Sequence, residues 1–500
     1  MRGATDRSQC CQLSDFVVIF SEFSDPSSDK ISKKRLATSS GVTGDFDASV
    51  PYRSYSSQRA AGAAVGPFPI SKHSQAAHLL QSEQDGDAHP SVSRLQMNRA
   101  KRLNSAQGHN HYRFISMASG MAELLRLLLS VAEKAANVAR VCRQEAALFE
   151  LLVQEKTGAD KNKKFVQDFK TLADVLIQEM IRHDVCAQFP ELSGFIHGEE
   201  SNKFENGLGE SVTVTVCAQE EDTTALLSKV LDGDQNAASL LTKVIHQDLQ
   251  ISDETAESLQ LSISPADVGI WIDPIDGTSQ YIEGKEEEEP EEGFCPFGLP
   301  CALVLIGVYL RSTGQPVMGV INQPFNHKDS TGKGWKGQHV WGVSYGDVNV
   351  CSFTQRRPSC QQKKGYLSVL LSSSERPAVK DALAAISDGS LMYASGAGYK
   401  ILCVVQGLVD VYVLSEGSTF KWDSCAPHAL LRALGGGVAD LSECLRAHLN
   451  GHKGHTSELI YHQPHTESQG VDRWANRGGI IAYLDSSVID KVVAALAGII

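Results

Sequence analysis

No apolar run in this 500-residue chain approaches the roughly 20 residues that a membrane-spanning helix requires. The short apolar stretch from Phe16 to Phe20 has neither the basic flank nor the small-residue cleavage site of a signal peptide. Apart from the adjacent Cys10 and Cys11, the 12 cysteines are scattered without paired short spacings, which favours reduced thiols over a disulfide framework. We therefore expect a cytoplasmic protein that does not insert into a membrane.

Positive charge is also in deficit, since 46 Lys and Arg residues face 59 Asp and Glu residues, for a net charge of -13. A broad nucleic-acid surface needs clustered Lys and Arg, so the sequence predicts no nucleic-acid partner. If the ligand is an anionic small molecule, metal ions must offset the acidic charge locally. The length and a hydrophobic share of 42% are sufficient for a large core without disulfides.

The character of the sequence changes abruptly near residue 117. Residues 1–116 are rich in Ser, Gln, Asp and Gly and poor in apolar residues, which predicts a disordered extension. Residues 117–500 carry strand and helix patterns that alternate in the last third, which predicts an α/β fold with sheets layered against helices. Within this domain we place two α/β subdomains, at 117–325 and 326–500.

Apolar spacing places the individual elements. Apolar residues recur at steps of four and three from residue 124 to residue 142, which predicts a long amphipathic helix that ends near Glu155. Thr171 and Asp174 have the spacing of a capping box at the start of a second helix. The other predicted strands are Val268–Ile272, Leu303–Leu310, Val317–Ile321, Tyr366–Leu371, Val411–Leu414 and Gly479–Tyr483, and the other predicted helices are Ala378–Ile386, Tyr399–Val405, Cys425–Leu434 and Ser487–Ala497.

A run of acidic residues separates the two halves, at Lys285–Glu292, and is interrupted only by Pro290. Such runs are typical of solvated loops. A calcium-binding loop is the alternative, although the run lacks the alternating ligand spacing of such loops.

The segment Trp271–Thr278 holds two aspartates around a predicted turn. Pro274 fixes its own backbone after the strand, so Asp273 and Asp276 could face one point. Mg²⁺ prefers oxygen ligands, and two carboxylates with a backbone carbonyl between them can supply several. The residues that follow would offer backbone amides and a hydroxyl to a phosphate oxygen. The alternative is an Asp-rich turn whose side chains bond local amides.

Two further acidic features lie elsewhere in the sequence. Glu199 and Glu200 follow a short apolar stretch, where an exposed loop is the ordinary interpretation. Asp423 precedes an apolar helix pattern, where a helix cap is the ordinary interpretation. Each ordinary interpretation is favoured alone, but the combination with Asp273 and Asp276 favours a carboxylate site.

Taken together, these motifs resemble those of the lithium-sensitive, magnesium-dependent inositol monophosphatase-like phosphatases. Gly-Glu-Glu, Asp-Pro-Ile-Asp-Gly-Thr and Trp-Asp occur here in that family's order. The resemblance covers residues 121–500. Within the family, the sequence is most similar to the branch that acts on inositol polyphosphates. The segments that carry this closer similarity are Gly307–Tyr309, Gly319–Phe325, Gly396–Lys400 and Gly470–Asn476.

The resemblance implies roles for individual residues. The implied metal ligands are Asp174, Glu199, Glu200, Asp273, the Ile275 carbonyl, Asp276 and Asp423. The implied catalytic residues are Asp174, Glu199 and Thr278. The implied substrate contacts are Asp276, Gly277, Thr278, Ser374, Arg376, Gly396, Ala397, Lys400 and Ser418. The chain departs from close relatives at Gly277, where Ser is usual, and at Arg376, where Lys is usual.

The resemblance also implies an activity. We expect a sugar-phosphatase-like fold of alternating layers (αβαβα), and hydrolysis of the 1-phosphate of inositol 1,4-bisphosphate and inositol 1,3,4-trisphosphate by metal-activated water. It implies Mg²⁺ as cofactor, two or more ions per site, and Li⁺ as inhibitor. The alternatives are an inositol monophosphatase, a 3'(2'),5'-bisphosphate nucleotidase, or a non-catalytic regulator that binds phosphate ligands.

Overall fold

The computed structural model describes residues 120–144, 152–286, 293–353, 365–452 and 454–500. The predicted extension at 1–116 lies outside the described residues, as does most of the acidic run, at 287–292. Among the described helices, none combines the length and the apolar character needed to span a bilayer. The cytoplasmic location stays a prediction.

The described helices are numbered in chain order. They are α1 (120–144), α2 (Leu172–Gln188), α3 (Glu220–Val230), α4 (Gln235–His246), α5 (Glu254–Glu257), α6 (Thr278–Glu283), α7 (Pro377–Ala384), α8 (Ala397–Val405), α9 (Lys421–Ala433), α10 (Leu441–Leu449) and α11 (Ser487–Leu496). Short 3-10 turns lie at Pro190–Leu192, Pro265–Asp267, Leu299–Cys301 and Gly470–Trp474.

The described strands form two large sheets and two small hairpins. The strands are β1 (Val153–Glu155), β2 (Phe169–Thr171), β3 (Ile196–Gly198), β4 (Lys203–Glu205), β5 (Ser211–Thr213), β6 (Val268–Asp276), β7 (Leu303–Leu310), β8 (Pro316–Lys328), β9 (Trp335–Tyr345), β10 (Val348–Cys351), β11 (Val369–Leu371), β12 (Leu391–Tyr393), β13 (Val411–Leu414), β14 (Gly437–Asp440) and β15 (Ile480–Tyr483). The six-stranded sheet has the order β10-β9-β8-β7-β6-β3. The five-stranded sheet has the order β12-β11-β13-β15-β14.

Helices and sheets alternate in five layers. Successive residues of a strand point to opposite faces of its sheet. On one face of β6, Ile270 and Ile272 therefore pack in an apolar cluster with α1 and α2. On the other face, Trp271 packs in a second apolar cluster, in the middle of the molecule. This middle cluster holds α8 and α9 between the two sheets. The far face of the five-stranded sheet packs in a third cluster with α7, α10 and α11. The predicted αβαβα layering is therefore confirmed.

The first predicted helix is present, but its predicted end is wrong. Its apolar positions, among them Leu124, Leu128 and Val131, are all buried. The helix does not continue to Glu155, because Val153–Glu155 pair antiparallel with Phe169–Thr171. This pairing satisfies the backbone groups of both segments, and it depends on a partner strand that helical spacing does not reveal.

The later elements agree more closely with prediction. The Thr171–Asp174 capping box is present at the start of α2, and β7 and β13 have the predicted bounds. Helix α9 begins at Lys421, four residues before its predicted start at Cys425. The predicted subdomain limit at 325 falls inside β8, which pairs with both β7 and β9, so the change of sheet comes after Cys351.

Candidate metal centre

Strand β6 carries Asp273 and Asp276 to one end of the six-stranded sheet. Asp273 pairs with Leu305 and Asp276 pairs with Leu303, so the register shifts between the two aspartates. This bulge, rather than a sharp turn at the proline, changes the direction of the side chains. Gly277 then has φ 82°, and a Cβ at this position would lie 2.9 Å from the Cys301 carbonyl oxygen. The turn therefore suits glycine.

Three carboxylates meet at this end of the sheet. One oxygen from each of Asp273, Asp276 and Asp423 lies within 4.8 Å of the other two. Asp273 is 1% exposed, and its Oδ1 has no hydrogen-bond partner among the described residues. Burial, together with the charges of Glu199 and the two other aspartates, raises the pKa of Asp273 well above its usual value. Clustered carboxylate oxygens, one of them buried without a donor, are suitable ligands for Mg²⁺, so these residues fit a divalent ion.

Asp276 also connects the six-stranded sheet to α8. Its Oδ1 accepts a hydrogen bond from the Ala397 amide at 3.1 Å, and its Oδ2 accepts one from the Tyr399 amide at 3.3 Å. Burial raises the pKa of Asp276 to about 6, although Lys400 and these amides lower it. Lys400 Nζ donates to the Gly396 carbonyl at 2.7 Å. The predicted substrate segment Gly396–Lys400 therefore lies directly against the carboxylate cluster.

Helix α9 supplies the third carboxylate from its first turn. The Phe420 amide donates to Asp423 Oδ2 at 2.5 Å, so the local bond expected of a helix-start aspartate is present. The same side chain belongs to the carboxylate cluster, and burial raises its pKa well above the usual value. Trp422 and Phe420 stack beside it, with ring centroids 4.6 Å apart. Asp423 therefore makes a capping-box bond from inside the helix and belongs to the carboxylate cluster at the same time.

Lys156 is a member of the site that the sequence did not indicate. Its Nζ lies 2.6 Å from Glu199 Oε1 and 2.5 Å from Glu200 Oε1, and its side chain is 2% exposed. Burial alone would lower the pKa of Lys156, but the charges of Glu199, Glu200 and Asp168 raise it well above the usual lysine value. The protonated ammonium therefore neutralises acidic charge at one side of the cluster. Its position just after β1 carries no motif that could have revealed it.

Asp174 lies behind the cluster and is fully buried. Its Oδ2 accepts hydrogen bonds from the amide and the hydroxyl of Thr171, both at 2.7 Å. Its Oδ1 has no hydrogen-bond partner among the described residues. Burial, with the charge of Glu199, raises the pKa of Asp174 to about 7. This carboxylate can therefore hold or release a proton near neutral pH.

A cavity of about 310 Å³ opens over the carboxylate cluster, a size that suits a small polar ligand. The predicted site residues that line it are Glu199, Asp273, Ile275, Asp276, Gly277, Thr278, Ser374, Gly396, Ala397, Lys400, Ser418 and Asp423. Three predicted residues, Asp174, Glu200 and Arg376, do not line it. Arg376 is exposed, and its Nε lies 3.4 Å from Glu416 Oε1.

The loop between β1 and β2 forms a cavity wall that the sequence did not predict. Asp160, Asn162 and Asp168 of this loop line the cavity. The Asn162 amide donates to Asp168 Oδ2 at 2.8 Å, which folds the loop back on itself. Because these residues carry ordinary loop chemistry, only the three-dimensional arrangement identifies them.

Comparison with known proteins assigns the fold to a family. The model described as the inositol monophosphatase family matches residues 218–485. Inositol polyphosphate 1-phosphatase of Mus musculus is 47% identical over 386 residues, which is 75% of this chain and 97% of that protein. The chain belongs to the inositol monophosphatase family. The family prediction is thus confirmed, and the matched residues include Asp273, Asp276 and Asp423.

The comparisons also include more distant similarities. The 3'(2'),5'-bisphosphate nucleotidase 1 of Homo sapiens is 27% identical over 357 residues, covering 71% of this chain and 92% of that protein. Among solved structures, the extragenic suppressor protein suhB from Bartonella henselae is 16% identical, with a TM-score of 0.43, over 76% of this chain and 100% of that one. Membership of the inositol monophosphatase family and the buried carboxylates together indicate a phosphatase that depends on divalent metal ions.

Proposed function

We propose that this inositol monophosphatase family member hydrolyses the 1-phosphate of inositol polyphosphates, with inositol 1,4-bisphosphate and inositol 1,3,4-trisphosphate as substrates. The proposal includes two or more Mg²⁺ ions per site and inhibition by Li⁺. The observation that carries it is the cluster of Asp273, Asp276 and the half-buried Asp423 on the wall of a cavity that suits a small ligand. The 47% identity to a relative named inositol polyphosphate 1-phosphatase supports the choice of substrate.

The acidic residues divide into two sets of ligands in this proposal. Glu199, Asp273 and the Ile275 carbonyl would hold one ion, and Asp276 and Asp423, with Asp273 shared, would hold a second. Bound divalent ions would offset the acidic charge, lower the pKa of water and stabilise the charge that develops on the transferred phosphate. Without such ions, a dianionic phosphate would meet strong repulsion from these carboxylates.

The chain's own groups orient the reactants. Thr278 Oγ1 donates its hydrogen to the Ile275 carbonyl at 3.0 Å. The hydroxyl oxygen is therefore free to accept a hydrogen bond from a water molecule, and this aims the water's lone pair toward the phosphorus. Glu199 and Asp174 are the nearby carboxylates that can receive the proton the water loses. Glu199 lines the cavity and can take this proton directly, whereas Asp174 lies behind the cluster and would receive it only by relay.

Groups away from the reaction centre would choose the substrate. Lys400 lies beside Asp276 on the cavity wall, where its charge can pair with a phosphate that is not cleaved. Ser374, Ser418 and the Gly396–Ala397 backbone lie on the same wall and can bind ring hydroxyls. Arg376 stays a predicted contact, and it would have to leave Glu416 to reach a ligand.

Phosphate release tests the proposal. Purified protein with Mg²⁺ should release phosphate from inositol 1,4-bisphosphate faster than from inositol 1-phosphate or adenosine 3',5'-bisphosphate, and chelation should stop the reaction. Folded protein that released no phosphate from any of these substrates with Mg²⁺ would contradict catalysis and favour a phosphate-binding regulator. A preference for the nucleotide would instead assign the chain to the nucleotidase branch.

A further inference from the structure

The loop between β1 and β2 is fastened across the mouth of the cavity by contacts to two distant segments. The Val471 amide donates to the Ala159 carbonyl at 3.1 Å, and Asn162 Nδ2 donates to the Ser418 carbonyl at 3.3 Å. Asn162, Ser418 and Val471 all line the cavity. The loop and these two segments therefore form a continuous rim over the site.

Two lysines on this loop make ion pairs along the rim. Lys163 Nζ lies 2.6 Å from Asp472 Oδ2, and Lys164 Nζ lies 3.9 Å from Glu416 Oε2. Each acid follows or precedes a cavity-lining residue within two positions, so both pairs lie at the cavity edge. The lysine side chains are 70% and 56% exposed. Water and anionic ligands can therefore reach both ammonium groups.

The strength of these pairs suits exchange rather than permanent fastening. Exposed ion pairs contribute little to stability, because water screens them and two long side chains must be ordered. A phosphate group carries more negative charge than a carboxylate and presents more acceptor oxygens. A phosphate that arrives at the rim can therefore displace Asp472 from Lys163, or Glu416 from Lys164, at low cost.

The cavity wall is mainly acidic, so a second substrate phosphate would need additional cations. The described cavity wall carries the acidic residues Asp160, Asp168 and Glu199 as well as the aspartate cluster, and Lys400 is the cation that this wall contributes. Metal ions would offset the acids only near the reaction centre. A substrate phosphate that extends toward the opening therefore needs cations from the rim.

We propose that Lys163 and Lys164 are specificity-determining residues that act with Lys400 in binding a substrate phosphate other than the one hydrolysed, and that Asp472 and Glu416 hold them until substrate arrives. This inference rests on the proposed function and deepens it. It explains selectivity for phosphomonoesters that carry a second phosphate by named groups outside the metal centre.

Opposite substitutions in one ion pair test the inference. Lys163→Ala removes the cation, so KM for inositol 1,4-bisphosphate should rise about threefold with kcat unchanged. Asp472→Asn keeps the shape of the partner but removes the competing charge, so KM should fall about twofold. The inhibition constant of inorganic phosphate, measured as competition at the reaction centre, should stay constant in both. Lys243→Ala, at an exposed lysine of α4, is the matched control.

A purely structural fastening predicts a different result. If the pair only holds the loop, both substitutions break it, and KM and the inhibition constant should rise together in both variants. That outcome, or a change in KM for Lys163→Ala no larger than that for Lys243→Ala, would overturn the inference. The proposed function would still stand if the unaltered protein hydrolysed the substrate. Absence of turnover in the unaltered protein would refute both.

Discussion

Replacement of Lys156 by methionine tests the electrostatics of the site most directly. The ammonium lies 2.6 Å from Glu199 Oε1 and 2.5 Å from Glu200 Oε1. Methionine preserves the apolar stem and removes the charge. The two glutamates would then face the aspartate cluster without their neutralising cation.

The size of the effect follows from burial. Removal of one partner of a buried ion pair costs about 3 to 5 kcal/mol. The Glu200 side chain is 1% exposed and that of Glu199 is 19% exposed, so Glu200 bears most of the penalty. Burial already raises the pKa of Glu200 to about 8, and loss of the Lys156 charge would raise it further, so a neutral Glu200 avoids part of the cost. We therefore expect Lys156→Met to lose about 3 kcal/mol of unfolding free energy in the absence of metal.

Urea unfolding with EDTA and with Mg²⁺ measures this loss. Mg²⁺ should narrow the difference between Lys156→Met and the unaltered protein, because bound ions offset the exposed acidic charge. Lys161→Met is the control from the same loop, since Lys161 Nζ pairs with Glu155 at 2.9 Å in a more exposed position. The control should lose less than about 1 kcal/mol. Equal losses in the two variants, or a Lys156→Met loss that Mg²⁺ does not change, would refute the assigned role.

Four other predictions concern the same centre. Asp273→Asn should abolish phosphate release without unfolding the protein, checked by turnover and circular dichroism; activity retained at ordinary Mg²⁺ would contradict its role as a ligand. Burial raises the pKa of Asp174 from 3.8 to about 7 and that of Asp276 from 3.8 to about 6. The folded state therefore binds more protons than the unfolded state between pH 4 and 7, and the stability of the metal-free protein should fall as the pH rises through this range. A urea midpoint in EDTA that increased over this range would reverse that sign. Gly277→Ala should cost about 1 to 2 kcal/mol of unfolding free energy, because φ is 82° there, and an unchanged urea midpoint would contradict the strain. Lys400→Ala should weaken bisphosphate substrates more than monophosphates in KM, and equal losses would remove its assigned specificity.

The sequence predicted correctly the elements whose formation depends on neighbouring residues in the chain. Strands β7 and β13 were predicted to the residue because each is a continuous buried apolar run between turns. The capping box at Thr171 was equally local. The strand at Val153–Glu155 was missed because three residues make a strand only when a partner is present, and that partner is Phe169–Thr171.

The site also contains residues that a local motif indicates and residues that only the fold brings together. Asp273 and Asp276 lie on one strand, so a single motif could indicate both. Asp423 and Glu199 required the resemblance to a family, because α9 and the end of β3 approach β6 only in the folded chain. Neither a local motif nor the family resemblance indicated Lys156. Its partner Glu199 is 43 positions away, and no property of the lysine itself indicates that the carboxylate will be there.

The approach of α9 to the six-stranded sheet decides the spacing of the carboxylates. Gly307, Gly319 and Gly342 are cross-strand neighbours on β7, β8 and β9. A Cβ on Gly307 would lie 2.6 Å from the Ala426 amide nitrogen, and a Cβ on Gly319 would lie 2.2 Å from the Ala426 carbonyl oxygen. Any side chain on this row would push the helix outward and carry Asp423 away from Asp273. The family-like segments around Gly307 and Gly319 therefore serve the metal centre through packing, because they set the height of the helix that supplies its third carboxylate.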